Sequence, residues 1–306
     1  MLYVPSAQRT SGLSCENTPS GLSHDGTTHA CTIQVVMAMK LPPAAEHCAA
    51  VTPESAGNKD SVPRRHTPLW RCPWAVGPAD PPGAADRFAA GMGAGPVDVG
   101  SPVRKGIRRW MLEGTLEGPP CDGDGGNGAA MRVLPVALAT LADGALLAEW
   151  AVAQARLTHH HPLSDAGTVH VGELVHLAIL GRGKPRLRHA SDAFAARLPP
   201  FAFEPYRGLA TGYVVDTLQT VLHAFHSTRG FEECLVAAVN RGGDADTTGA
   251  IAGAVAGAYY GEEALPARWL RRLDRAVREE VVALAERLVA LSPLARGEPP
   301  RDAGPG

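Results

Sequence analysis

The spacing of apolar residues changes near Gly83 and divides the chain into two regions. Beyond that point apolar side chains recur every three or four residues, and Gly, Pro or Asp marks the breaks, as expected for amphipathic helices joined by turns. The pattern predicts helices at residues 84–92, 103–113, 129–141, 145–157, 164–180, 189–197, 209–226, 230–239, 247–260, 266–273 and 275–291. Because no segment alternates convincingly like a strand, we predict an all-α fold, a compact multi-helix domain at residues 86–294.

Residues 1–85 show neither helical nor alternating periodicity. They hold 11 of the 26 prolines and four of the six cysteines, and their one sustained apolar stretch, Thr32 to Leu41, is short. A segment of this composition buries too little apolar surface to fold by itself. We therefore expect residues 1–85 to be poorly ordered, and the Gly- and Pro-rich tail at residues 295–306 to be flexible.

Composition and charge narrow the class of protein. The 306 residues have a formal net charge of −2, which provides no basic field for nucleic acid. No apolar run approaches the ~20 residues of a membrane span. The six cysteines form no Cys-x-x-Cys pair, a pattern typical of free thiols in a reducing compartment. We expect a cytoplasmic monomer that binds no nucleic acid and is not an integral membrane protein.

An acidic, Gly-rich turn at residues 240–249 is the strongest candidate site. It reads Asn-Arg-Gly-Gly-Asp-Ala-Asp-Thr-Thr-Gly and leads into an apolar helix. One interpretation is structural, with Asp246 as the N-cap and Thr247 opening the helix. The other is a metal site, because carboxylates and a hydroxyl are hard oxygen ligands that suit Mg²⁺ or Mn²⁺. Glycines at every fourth position from Gly249 to Gly261 predict close packing against a neighbouring helix.

Further characteristic residues follow the turn. They are Tyr260-Gly261, Leu265-Pro266 and Trp269. Together these residues resemble the carboxyl-terminal signature of the ADP-ribosylglycohydrolases. The resemblance implies that Asp244, Asp246 and Thr247 help to hold a pair of divalent ions, two Mn²⁺ or two Mg²⁺. It also implies that the ions grip the ribose diol of the substrate.

Six further segments match a narrower pattern. They lie at residues 96–100, 106–109, 123–132, 155–165, 203–206 and 213–223. They resemble one branch of the family, the dinitrogenase reductase-activating glycohydrolases. The resemblance implies that the chain removes ADP-ribose from an arginine of the nitrogenase iron protein. It implies two further partners, a PII signalling protein and a membrane ammonium transporter, and hence peripheral association with a membrane through a partner.

Asp98 lies in the Pro/Gly-flanked segment Pro96-Val97-Asp98-Val99-Gly100. A carboxylate in such a segment either forms a turn or acts as an acid or base. By resemblance it is the essential carboxylate of the family, and we predict it as the catalytic residue. Cleavage of a glycosidic bond requires stabilisation of an oxocarbenium-like centre and protonation of the leaving group.

The loop at residues 122–128 is rich in Gly and Asp. Its amides suit an anion such as a pyrophosphate, and the alternative is a flexible surface loop. By resemblance, Asp122, Asn127 and Gly128 bind substrate. The family usually has Glu where Asp122 stands, and Asp is one methylene shorter.

Two more substrate-binding residues come from the resemblance. His161 is the third of three adjacent histidines, which cannot all face one ion on regular structure. The family has a cleft-lining histidine at that position. Tyr213 lies in the helix predicted at residues 209–226, where the pattern is equally consistent with a core residue. The resemblance implies that it stacks near the ribose or adenine.

The amino-terminal part departs from the family pattern. The family begins with Gly-Asp-Ala-Leu-Gly and then Thr-Asp-Asp-Thr, which supplies the other half of the metal site, and neither motif occurs in residues 1–85. Arg64-Arg65-His66-Thr67 stands at about the expected distance. Codons for Arg-Arg-His can read as Asp-Asp-Thr one base later. We therefore hypothesise that residues 1–85 are an aberrant, frameshifted segment, which the upstream DNA read in all three frames tests.

The resemblance thus implies a metal-dependent hydrolase that removes ADP-ribose from the nitrogenase iron protein, with half of the metal site present. Two alternatives remain open. One is a glycohydrolase for another ADP-ribosylated acceptor. The other is a catalytically impaired module that binds ADP-ribose or a PII protein, which the missing Thr-Asp-Asp favours for this chain.

Overall fold

A computed structural model describes residues 80–93 and 99–299 of the chain. These residues form eleven α-helices: α1 (Pro81–Gly93), α2 (Ser101–Glu113), α3 (Leu134–Ala139), α4 (Gly144–Arg156), α5 (Pro162–Ile179), α6 (Lys184–Arg197), α7 (Val214–Ser227), α8 (Phe231–Val239), α9 (Ala245–Tyr260), α10 (Ala267–Leu270) and α11 (Arg275–Ala290). Short 3₁₀ turns lie at Asp122–Asp124, Ala130–Arg132, Pro199–Phe201 and Glu262–Ala264. This part of the chain has no strand, and one isolated bridge joins Gly126 to Tyr213. The all-α prediction is confirmed.

Some of the predicted features lie outside the described residues. They are Asp98, residues 1–79 of the predicted amino-terminal segment and residues 300–306 of the predicted tail. Among the described residues, no helix is both long enough and apolar enough to cross a membrane.

Helices α5 and α9 form the centre of the fold. Helix α9 packs against α5, α7 and α8, and α5 packs against α4 as well. A Cβ atom at Gly249 would lie 2.9 Å from the side chain of Val239, so the backbone of α9 approaches α8 more closely than any larger residue would permit. The close helix packing predicted from the glycine spacing is confirmed at this position.

Large apolar side chains fill the spaces between the central helices. The largest that are almost fully buried are Phe201, Phe225, Phe231, Leu134, Leu138, Leu141, Leu147, Leu174, Leu187, Leu218, Leu222 and Ile251. Each such side chain contributes roughly 1.5–3 kcal/mol when it leaves water. This core holds the ends of α5, α7 and α9 in fixed positions, and those ends carry the candidate site.

Three predicted helices are several residues shorter in the structure than in the prediction. The one predicted at residues 266–273 is the four-residue α10. The helix predicted at residues 129–141 is a 3₁₀ turn at Ala130–Arg132 followed by the short α3. The helix predicted at residues 209–226 begins only at Val214. Residues 209–213 are not helical because the carbonyls of Ala210 and Gly212 accept hydrogen bonds from distant backbone amides instead. A local hydrophobic pattern contains no information about those partners.

Candidate functional site

Three segments far apart in sequence meet at one place, which we call the junction. They are the Gly-rich loop at residues 122–128, the strip at residues 209–213 and the turn before α9. The amide of Asp244 donates to the carbonyl of Ala210 at 2.7 Å, and the amide of Asn127 donates to the carbonyl of Gly212 at 3.0 Å. The strip is therefore held between the loop and the turn by backbone hydrogen bonds.

Asn127 connects the loop to the acidic turn through its side chain. Its Nδ2 donates to Asp244 Oδ2 at 2.7 Å and to Thr217 Oγ1 at 2.9 Å. The side chain is buried, so both amide hydrogens are used where water has little access. Asn127 thus fixes the orientation of the Asp244 carboxylate from the opposite side of the junction.

The acidic turn differs in detail from the predicted helix cap. Helix α9 begins at Ala245, the N-cap position is Asp244 rather than Asp246, and the Asp244 side chain makes no capping hydrogen bond. The Asp246 carboxylate, in the first helical turn, accepts from the amide of Thr247 at 2.9 Å. Burial, followed by the neighbouring Asp244 carboxyl, raises the pKa of Asp246. Two carboxylates at close range are an arrangement that a cation relieves.

Tyr213 and His161 lie on the other side of the Gly-rich loop. A Cβ atom at Gly125 would lie 2.9 Å from the Tyr213 ring and 3.6 Å from the His161 ring. Tyr213 is the N-cap residue of α7 rather than part of the helix, which corrects the prediction, and its side chain is 41% exposed. The Nδ1 atom of His161 accepts from the amide of Leu163 at 3.1 Å. In the neutral ring the proton is therefore on Nε2.

Comparison with known proteins identifies the kind of protein to which this junction belongs. The family model described as ADP-ribosylglycohydrolase matches residues 64–298. The chain belongs to the ADP-ribosylglycohydrolase family. Members of this family are hydrolases, so the resemblance found in the sequence is confirmed.

Individual relatives support the same assignment. The chain is 49% identical to ADP-ribosyl-[dinitrogen reductase] glycohydrolase of Rhodospirillum rubrum, over 72% of this chain and 75% of that protein. It is 29% identical to the ADP-ribosylarginine hydrolase Tri1 of Pseudomonas putida, over 64% of this chain but only 54% of that protein. A solved structure titled ADP-ribosylglycohydrolase-related protein complex superposes with a TM-score of 0.66 and 29% identity, covering 87% of this chain and 97% of the other.

The glycohydrolase site residues predicted from the sequence mostly converge on the junction. Asn127, Gly128, Tyr213 and Asp244 lie on the segments that form it, Asp246 and Thr247 follow in the first turn of α9, and His161, the N-cap residue of α5, lies against Gly125. Asp122 is exposed at the start of the 3₁₀ turn of the same loop. The structure therefore places these residues together, whereas their individual roles stay predictions.

The acidic turn of this glycohydrolase fits only part of a metal shell. Asp244 and Asp246 supply hard oxygen ligands, which suit Mg²⁺ or Mn²⁺. Within residues 80–93 and 99–299, however, no three His, Cys, Asp or Glu side chains are grouped so that they could hold a metal. Mg²⁺ requires six ligands in near-octahedral geometry. The described residues therefore do not fit the pair of ions expected for the family.

Residues that the sequence analysis did not single out anchor the Gly-rich loop to α2. Lys105 Nζ, on α2, contacts both carboxylate oxygens of the buried Asp124 at 2.6 and 2.8 Å. Burial lowers the pKa of Lys105, but the hydrogen bond and charge of Asp124 outweigh it and raise that pKa overall. This ion pair ties the first part of the loop to α2.

Arg132 and His159 support the second part of the loop. The Arg132 guanidinium donates to the carbonyl of Gly128 at 3.1 Å, to both side-chain and backbone oxygens of Gln154, and to Thr158 Oγ1 at 2.7 Å. Thr158 Oγ1 is 2.7 Å from His159 Nδ1. A Cβ atom at Gly128 would lie 2.8 Å from the His159 ring. The signal for His159 was present in the triple-histidine run, where the family also has a histidine at the first position, but a role was predicted for the third histidine alone.

A separate cavity of about 570 Å³ lies beside α4 and α5. Its lining includes Arg156, Asp165, His170 and Glu173 but none of the predicted site residues. Arg156 Nε contacts Asp165 at 3.0 Å, and His170 Nδ1 contacts Glu173 at 3.1 Å. Because Arg156 and Asp165 are paired with each other and no predicted site residue lines the cavity, the junction is the better candidate site.

Gly243 is expected to be the most sensitive position of the acidic turn. Its φ is +63°, and a Cβ atom would lie 2.2 Å from the carbonyl oxygen of Ala210, which also accepts from Asp244. We expect Gly243→Ala to lower the free energy of unfolding by about 3 kcal/mol, because a clash adds to an unfavourable backbone conformation. Urea denaturation measures this cost.

Gly208 provides the matched control for this substitution. Its φ is +78°, but a Cβ atom there would meet nothing within 4 Å. We expect Gly208→Ala to lower the free energy of unfolding by only about 1 kcal/mol, because the substitution adds an unfavourable backbone conformation but no clash. Equal losses of stability in the two variants would contradict the close approach of residue 243 to the strip at residues 209–213.

Proposed function

We propose that this chain hydrolyses the N-glycosidic bond between ADP-ribose and an arginine side chain, and that its acceptor is dinitrogenase reductase, the nitrogenase iron protein. The single observation that supports this most is the junction itself, where Asn127 binds Asp244 between the Gly-rich loop and the acidic turn. The names of the R. rubrum and P. putida relatives support the acceptor and the modified arginine, respectively.

The Gly-rich loop is suited to bind the pyrophosphate of ADP-ribose. Among the described residues no acceptor binds the backbone amides of Gly126 and Gly128, and two free amides on a tight loop form an anion site. The exposed ring of Tyr213, packed on Gly125, offers a face to the ribose or adenine. The Nε2 hydrogen of His161 adds a donor on the same side. Asp98 is our proposal for the essential carboxylate.

The acidic turn is the proposed cation site. Asp244, Asp246 and Thr247 would contact one Mg²⁺ or Mn²⁺ ion from one side, and a bound ion would supply Lewis-acid polarisation and a template for the sugar hydroxyls. Since the family's second set of ligands does not occur in residues 1–85, we propose that this chain binds one ion weakly and has impaired activity. Asn127 keeps Asp244 oriented whether or not an ion is bound.

The test is manganese-dependent release of ADP-ribose from ADP-ribosylated dinitrogenase reductase. We expect Asn127→Ala to lower the release rate and the apparent manganese affinity about 10- to 100-fold, as is usual when the partner of a metal ligand is removed. His189→Gln, exposed on α6, is the control and should leave both unchanged. Failure of the parent chain to bind ADP-ribose at all would refute the proposed function.

A second candidate is a module that binds ADP-ribose or a PII protein without catalysis. The observation that favours it is the incomplete metal shell within the described residues. ADP-ribose binding without any manganese-dependent release would support it. A panel of other ADP-ribosylated proteins would identify a different acceptor. We further propose a cytoplasmic location, with a PII protein and an ammonium transporter as regulators that bring the chain to a membrane.

A further inference from the structure

Arg241 is the outermost member of a stack of three flat side chains beside the junction. Its guanidinium carbon lies 4.8 Å from the centroid of the Tyr206 ring. The His223 ring stacks on the other face of the Tyr206 ring. The two ring centroids are 4.3 Å apart and the interplanar angle is 6°. The Tyr206 hydroxyl is 3.0 Å from Thr220 Oγ1, which fixes the tyrosine. The aromatic contact therefore positions the guanidinium before any ligand arrives.

The stacked guanidinium of Arg241 has no acceptor among the described residues. Arg188 shows the usual alternative: its guanidinium stacks on Phe203 at 4.9 Å, but it also binds the carboxylates of Glu204 and Asp192. Arg241 has the same aromatic support and none of the carboxylates. An arginine held in this way presents a planar fork of N–H donors that matches a carboxylate.

The stack borders the junction directly. Arg241 precedes the Gly242-Gly243 turn that leads to Asp244, and Tyr206 begins the segment that runs through Leu209 to Tyr213. Arg207, Leu209, Tyr213 and Arg241 are all exposed, and we call these four residues the rim. Leu209 is 48% exposed. The rim thus combines two arginines that have no acidic partner among residues 80–93 and 99–299 with an apolar side chain and an aromatic ring, a composition common at protein interfaces.

We propose that the rim binds the acceptor protein, with Arg241 receiving an acidic side chain that lies close to the modified arginine. This inference rests on the proposed function. An acceptor that places a modified arginine in the junction must cover the surrounding surface, and the rim is that surface. A protein also explains the exposed Leu209, which a nucleotide does not require. The free amides of Gly126 and Gly128 already provide for the pyrophosphate.

Two synthetic peptides test the inference. Both contain one ADP-ribosylated arginine, flanked in one peptide by Asp and Glu and in the other by Asn and Gln. We expect the full chain to bind the acidic peptide about tenfold more tightly, a usual value for one hydrogen-bonded charge pair. Arg241→Gln should remove that preference and leave the affinity for free ADP-ribose unchanged, which also shows that the variant is folded. Arg182→Gln, at an exposed arginine after α5, should retain the preference.

The remaining outcomes separate this inference from the proposed function. Equal affinity of the parent chain for the two peptides, with free ADP-ribose still bound, would overturn the inference alone. A parallel loss of free ADP-ribose affinity in Arg241→Gln would also overturn it, because the arginine would then contact the pyrophosphate. If the parent chain bound neither free ADP-ribose nor the peptides, the proposed function and the inference would both fail.

Discussion

Replacing residues 1–79 with the corresponding segment of the R. rubrum relative is expected to raise the rate of ADP-ribose release about 100- to 1,000-fold. The proposed reason is chemical. By resemblance, the family's Thr-Asp-Asp-Thr motif would add metal ligands to Asp244 and Asp246, and a complete pair of ions would supply several kcal/mol of charge stabilisation. Each ~1.4 kcal/mol changes a rate tenfold. The readout is manganese-dependent release from ADP-ribosylated dinitrogenase reductase.

The control for this replacement changes only the grafted ligands. The same chimaera with the two aspartates of the grafted motif changed to asparagine should fall back to the level of the parent chain. Manganese titration of both chimaeras by calorimetry should show tighter binding in the first alone. If the parent chain already releases ADP-ribose as fast as the chimaera, residues 1–79 of the parent are sufficient, and the idea of an incomplete metal site is wrong.

The helices were predictable because their signal is local. Apolar residues recur at helical spacing from α1 to α11, and all eleven predicted segments contain a helix in the structure. Errors occur where a distant partner decides the conformation. Residues 209–213 have a helical pattern but pair with Asn127 and Asp244 instead. The cap of α9 shifted from Asp246 to Asp244 because the Asp244 amide binds the Ala210 carbonyl.

The site was predictable through motif residues but not through their supports. Asp244, Asn127 and Tyr213 belong to segments that resemble the family, and the structure brings them together. The Lys105–Asp124 ion pair joins residues 19 apart, and Arg132 reaches Thr158 across 26 positions. Neither contact produces a periodic pattern in the sequence. Their role becomes apparent only in the three-dimensional structure, where both contacts support the Gly-rich loop.

Acidification is expected to destabilise the protein steeply, because two buried histidines and one half-buried histidine have lowered pKa values in the folded protein. Burial, followed by the charges of Arg132 and Lys105, lowers the pKa of His159 to about 3. Burial lowers the pKa of His176 to about 4 against the opposing hydrogen bond to Ala137. Burial, followed by nearby cations, lowers the pKa of His226 to about 4.

The direction of the effect follows from proton binding. Between about pH 6.5 and each folded pKa, the unfolded chain binds the proton and the folded chain does not, so stability falls as the pH falls. Each histidine contributes a slope of ~1.4 kcal/mol per pH unit in that interval. Three together imply a loss on the order of the whole stability of a domain by about pH 4. Below the folded pKa values the contribution no longer changes.

Urea denaturation at a series of pH values between about 7.5 and 4 measures this slope. His159→Gln should reduce it by ~1.4 kcal/mol per pH unit, although the variant starts from lower stability because the ring no longer fills the space under Gly128. His189→Gln, at an exposed position, should leave the slope unchanged. If the free energy of unfolding changed with pH equally steeply in His159→Gln and in the parent chain, the His159 ring would be protonated in the folded parent. Because His159 supports the loop that carries Asn127, its neutral form is the one that keeps the junction assembled.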